Sequence, residues 1–172
     1  MQELVNANIE ALEQVLSLVR AAKGALYTEV PAAVAYGTGR HVRHILDHYV
    51  ALQSGLDSGH VDYDKRCRDS DVETDSSVAE QRIIALIHWL GENVAADIKL
   101  NMKTEISVSN QHHVTVNSSL RRELVYLLNH TLHHCAYASL ILRLLGVNTD
   151  AHIGIAPATS SYLRANGLRR AG

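Results

Sequence analysis

The sequence predicts an all-α protein: a four-helix up-down bundle with a small β-hairpin or irregular insertion between helices three and four. Three observations predict it. Four long stretches place apolar residues three and four apart, the period of a helix buried along one face. Among 172 residues there is no phenylalanine and one tryptophan, so the core is chiefly Leu, Ile, Val and Ala, which suits helix-on-helix packing. A single segment alternates apolar and polar residues, and it lies between the third and fourth helical stretches.

The first helix runs from Gln2 to Lys23, with Val5, Ile9, Leu12, Leu16 and Val19 on one face and Gly24 as its stop. The connection from Tyr27 to Gly37 holds Pro31 and a run of small residues and reads as a loop. Thr38 is the expected cap of a second helix, Gly39 to Leu56, whose stripe is Val42, Ile45, Tyr49, Leu52 and Leu56. Asp57 to Asp75 reads as a polar, solvated loop; its charge string, Asp62 to Asp71, lacks the alternating oxygen ligands, central Gly and closing Glu of a calcium loop. Ser76 or Ser77 caps the third helix, which extends to Ala96 and turns Ala79, Ile83, Leu86, Leu90 and Val94 inward. Lys99–Val108 and His113–Val116 alternate and form the hairpin, which must lean on the bundle because two strands alone are marginal. Ser118 or Ser119 opens the fourth helix, closed by Gly146, with Leu124, Leu127, Leu128, Thr131, Ala138, Leu142 and Leu145 on one face. Residues 147–172 are expected to be irregular apart from a short helical turn at Ser160 to Ala165 and a frayed basic tail, Arg169-Arg170. The whole, 1–172, is one domain.

Composition excludes several classes. A formal net charge of -2 with scattered Lys and Arg leaves no footprint for nucleic acid. The apolar run from Ala136 is broken by Arg143 and falls short of the ~20 residues a membrane span needs, so no membrane partner is expected. Two cysteines, Cys67 and Cys135, and no signal-peptide pattern predict a reduced, cytoplasmic setting. Cys135 reads as a small buried apolar residue and Cys67 as a weak redox candidate. No Gly-rich phosphate loop is present.

The eleven histidines carry the chemistry. His130 and His134 are one turn apart on the edge of the fourth helix's apolar face, where two imidazoles project toward one point and can share a metal ion. His133 points away. The second helix presents His41, His44 and His48 as a ridge within about 60° around its axis, the natural source of a third ligand. Helical angles place His41 and His48 slightly nearer the apolar stripe than His44, so periodicity does not choose among them. A lone imidazole beside an apolar stripe is ordinarily a packing residue; several together, without a common partner, would leave many polar atoms to satisfy. His60, His88, His112 and His152 show no such pattern.

The strings His41-Val-Arg-His-Ile-Leu-Asp-His48 and His130-Thr-Leu-His-His134, the latter followed by Leu142-Arg-Leu-Leu-Gly146, resemble the signatures of the DinB-like superfamily of bacterial metal-binding four-helix bundles. Gly39-Arg-His-Val-Arg-His44, Val61-Asp-Tyr-Asp64 with Arg66 and Arg68, and Gly154-Ile-Ala-Pro157 resemble an uncharacterised branch of it. The resemblance implies His44, His130 and His134 as ligands, Asp47 following His44, and a homodimer. Its members range from thiol-dependent transferases to proteins without assigned activity.

The function expected is that of an enzyme using a divalent zinc, nickel or iron ion on His44, His130 and His134, with thiol-dependent transferase or hydrolase chemistry on a low-molecular-weight thiol or other small substrate. Asp47 is a possible acceptor orienting a ligating ring, and His41 or His48 a proton shuttle or packing residue. The Tyr63–Asp71 string and the Gly154–Thr159 turn are expected to border the open side of the ion. The alternative is a non-catalytic dimeric bundle that binds a metal or small ligand.

Overall fold

The computed structural model describes residues 1–65 and 70–167. Its long helices are α1 (Gln2–Ala21), α2 (Thr38–Gly55), α3 (Ser76–Asn93) and α4 (Leu120–Leu144), with a shorter α5 (Pro157–Ala165). The strands are β1 (His60–Asp62), β2 (Lys99–Glu105) and β3 (His113–Ser119). Short 3-10 turns occupy Gly24–Tyr27 and Asp71–Glu73.

Helical packing follows the apolar stripes. α1 lies against α3 and α4, and α2 against α4 and α3. Val5, Leu12 and Val19 of α1, Val42, Ile45, Tyr49 and Leu52 of α2, every expected α3 position, and Leu124, Leu127, Ala138 and Leu142 of α4 are buried in one core. Leucine-sized side chains removed from water contribute about 1.5–3 kcal/mol each, which explains why these faces dictate the arrangement. A polar thread crosses this core: Tyr49 Oη donates to Asn8 Oδ1 at 2.8 Å, and Asn8 Nδ2 donates to the carbonyls of Leu4 and Leu124.

The expected four-helix bundle with a β-hairpin is corrected: the fold combines five helices with a three-stranded mixed sheet in the order β1-β2-β3. β2 and β3 form the antiparallel pair, Lys99 opposite Ser119 through Glu105 opposite His113. β1 adds a parallel edge, His60 to Asn101 through Asp62 to Lys103, inside the segment read as loop. Three residues are too few for alternation to register. β1 forms because β2 has a free edge to offer and because Val61 is buried, packing where Gly55 lets the chain come close. α5 contains the helical turn expected at Ser160 to Ala165 and starts earlier, at Pro157, which suits a first helical turn; none of its residues is buried, so no apolar period marks that start.

Smaller differences lie at the caps. Gly37, not Thr38, precedes α2, whereas Asp75 caps α3 by accepting from the amides of Ser77 and Val78. Ser119 caps α4, accepting from the Arg122 amide. No helix among the described residues is long and apolar enough to cross a membrane. Arg66, Cys67, Arg68 and the Arg169-Arg170 tail lie outside the described residues.

Candidate metal centre

The packing of α2 on α4 brings the two sets of histidines face to face. One ring nitrogen from each of His44, His130 and His134 lies within 4.8 Å of the others. His130 Nε2 lies 3.0 Å from His44 Nε2. Two nitrogens held at 2.0–2.1 Å by a tetrahedral ion lie roughly 3.3 Å apart; the His44–His130 pair lies a few tenths of an ångström inside that spacing, and the His134 nitrogen, within 4.8 Å of both, completes a three-nitrogen set suited to a metal. All three rings are half-buried, which shields the site while leaving one side reachable.

The electrostatics favour the ligand form. Burial, reinforced by His130, His41, His133 and His48, pushes the pKa of His134 down to about 3, so its imidazole is neutral at neutral pH. Metal coordination requires that neutral form.

Around the three rings stand further groups. His48 Nδ1 donates to the carbonyl of His44 at 2.8 Å, its ring stacks on Tyr63, and it lies 4.3 Å between centroids from His130. His41 Nδ1 is 3.0 Å from His134 Nδ1, and the His41 ring is stacked on Tyr137 with 9° between the planes. Thus all three members of the α2 ridge reach the seam, which periodicity alone did not rank. Asp47 accepts from Arg43 Nη1 at 2.7 Å, and Arg43 Nε donates to Glu73, tying α2 to the turn before α3. Gly39 permits that approach, since a Cβ there would meet the Glu73 carbonyl oxygen at 2.1 Å.

His44, His48 and His130 open onto a cleft of about 410 Å³, walled by Tyr63, Asp64 and Tyr126 and by residues 104–108 at the end of β2 and in the turn beyond it. The Tyr63–Asp64 end of the charge string therefore borders the site as expected. The Gly154–Thr159 turn does not line this cleft: Ile155 and Pro157 line a separate cavity with Ala7, Glu10 and Gln14 of α1, and Gly154 N donates to Gln14 Oε1.

Two parts of the surroundings were not legible beforehand. Glu123 is wholly buried and accepts from Tyr63 Oη at 2.7 Å, from the Ser118 hydroxyl and from Arg122 Nη1, locking the cleft wall to the start of α4. Its only sequence signal was a glutamate five residues after Ser118, too far for a capping box. Tyr126 stacks on His130, with 21° between the planes, four residues earlier on the same helix. Cys135 is buried as read, and burial pushes its thiol up to about 12. His60, His88, His112 and His152 are exposed and outside the cluster.

No protein-family model matches the chain, and no solved structure matches it. Over 106 residues, 60% of the chain, it is 34% identical to a curated protein of Rhizopus delemar named FK506-binding protein 5. The match spans 28% of that protein's length. The resemblance to the DinB-like superfamily is corrected by this finding: short histidine strings suggested it, whereas the similarity that extends over most of the chain is to a protein named for a different family.

Proposed function

We propose that the chain is a metal-dependent enzyme whose divalent ion, zinc, nickel or ferrous iron, is held by His44, His130 and His134. The observation that carries this reading is the convergence of three ring nitrogens beside a cleft large enough for a small molecule. Three neutral imidazoles leave the divalent charge uncancelled, and a bound ion would supply a Lewis acid that lowers the pKa of a thiol or water brought to it. Thiol-dependent transfer and hydrolysis both use that chemistry.

The chain's own residues would shape the rest. Tyr63, Tyr126 and His48 would wall the cleft in which a substrate sits. His48 Nδ1 is committed to the His44 carbonyl, which turns its other nitrogen to acceptor duty whenever the ring is neutral. Burial in a reduced, cytoplasmic setting would keep Cys135 a thiol outside the reaction.

The test is metal content of untagged protein in wild type and a His44→Ala/His134→Ala variant. About one divalent ion per chain, lost in the variant, is expected; no uptake by folded wild type when metal is added back would refute the proposal. A metal-loaded protein then warrants a screen of low-molecular-weight thiols against electrophiles.

A non-catalytic homodimer is the second reading, favoured by exposed Tyr137, Leu140 and Leu144 along α4. Light scattering would show a dimer that mutation of Leu140 and Leu144 to serine dissolves. The relative's name supplies one further probe: FK506 itself, added in the same binding screen, tests whether that property lies in the matched stretch.

A further inference from the structure

The bond between His41 and His134 has a chemical consequence for the ion. Their Nδ1 atoms are 3.0 Å apart, and two neutral imidazoles at that distance must share one proton between them. Only one arrangement is compatible with coordination through the other nitrogen of His134. His134 Nδ1 must carry the proton and donate it to His41 Nδ1, leaving the His134 Nε2 lone pair for the metal. The reverse arrangement places the proton on His134 Nε2 and blocks it.

We infer that His41 is a positioning residue for the metal centre, a histidine that fixes the tautomer and the ring angle of a ligating histidine from outside the coordination sphere. This rests on the metal-site reading above. Ligating imidazoles commonly give their second nitrogen to a carboxylate or a carbonyl, which orients the ring and raises its basicity. Here the acceptor is another imidazole. The role requires His41 to be held in place, and its surroundings do so: it is half-buried, with its ring stacked 5.6 Å from that of Tyr137. His41 stands outside the group of three whose nitrogens converge. The α2 histidine ridge therefore meets α4 in more than one role: His44 faces the ion's position, while His41 faces the back of a ligand.

His133 provides the internal control. It adjoins His134 in sequence and its ring lies 5.2 Å away, but it is exposed.

The experiment has two readouts. Zinc affinity, measured by competition with a chromophoric chelator, is expected to fall about 10–100-fold in His41→Ala, to recover in part in His41→Gln, whose amide oxygen can accept the same hydrogen bond, and to stay unchanged in His133→Ala. In metal-free wild type, nitrogen-15 spectra of the imidazoles should show His134 protonated at Nδ1, with the Nε2–H form gaining in His41→Ala. Far-UV circular dichroism establishes that each variant is folded, and His41→Gln carries the test should His41→Ala not fold. Wild-type affinity in folded His41→Ala, or Nε2–H protonation of His134 in wild type, would overturn the inference. So would loss of one coordinating imidazole from zinc-loaded His41→Ala by X-ray absorption, since His41 would then be a ligand itself. Failure of wild type to take up zinc would refute the metal reading and this inference together, whereas wild-type uptake with unchanged His41→Ala affinity refutes the inference alone.

Discussion

Individual buried polar residues, not the apolar ones, distinguish this core. Asn8 and Tyr49 are fully buried, and each depends on the other, because Asn8 Oδ1 accepts from Tyr49 Oη at 2.8 Å while Thr131 Oγ1 reaches the same hydroxyl at 3.3 Å. Tyr49→Phe keeps the ring and removes the oxygen, leaving Asn8 Oδ1 without this donor. A buried acceptor stripped of its partner costs about 1–3 kcal/mol, and urea unfolding should show that loss with an unchanged m-value. The pattern at i+3 and i+4 predicted that Tyr49 is buried. It did not predict Asn8 as its partner, since a hydrogen bond between residues 41 positions apart leaves no periodic trace.

Among the elements, the last, α5, is a helix with no buried face, held by the turn before it. Gly154 has φ +74°, and a Cβ there would sit 2.4 Å from the backbone nitrogen of Ala136 in α4. Gly154→Ala therefore meets a left-handed backbone and a collision at once. The conformational part alone costs about 1–3 kcal/mol. Faster proteolysis within 150–165, with the rest of the chain resistant, is the expected outcome of limited digestion. Unchanged digestion would mean that the turn does not anchor the segment. The sheet shows the same dependence on neighbours: alternation disclosed β2 and β3, but β1 is a strand because β2's edge and the surface of α2 meet at Val61.

At the scale of the whole molecule, packing α2 on α4 collects five histidines, His41, His44, His48, His130 and His134, in one seam, and that has a consequence for stability. In metal-free protein, burial lowers the pKa of His134 from 6.5 to about 3 and lowers that of His41 as well. Below about pH 6.5 the unfolded chain takes up protons that the folded chain refuses, so stability falls as pH drops from 6.5 toward 3. The melting temperature of metal-free wild type should decline between pH 7 and pH 5, and more gently in His134→Gln. Equal slopes would remove His134 from the account. The sequence by itself determined the four long helices, their buried faces, the β2–β3 pair and the His130/His134 pair, because each is written in local spacing of a few residues. It also determined that α2 carries a ridge of three histidines. Only the tertiary structure decided that His44 joins the pair while His41 backs His134 and His48 leans on Tyr63. Only it brought β1 to the sheet and buried Glu123 behind the cleft. The reason is physical: one helix's period specifies which side faces inward, but the distance between two ring nitrogens depends on how two helices are offset and turned against each other, and that is set by the packed core as a whole.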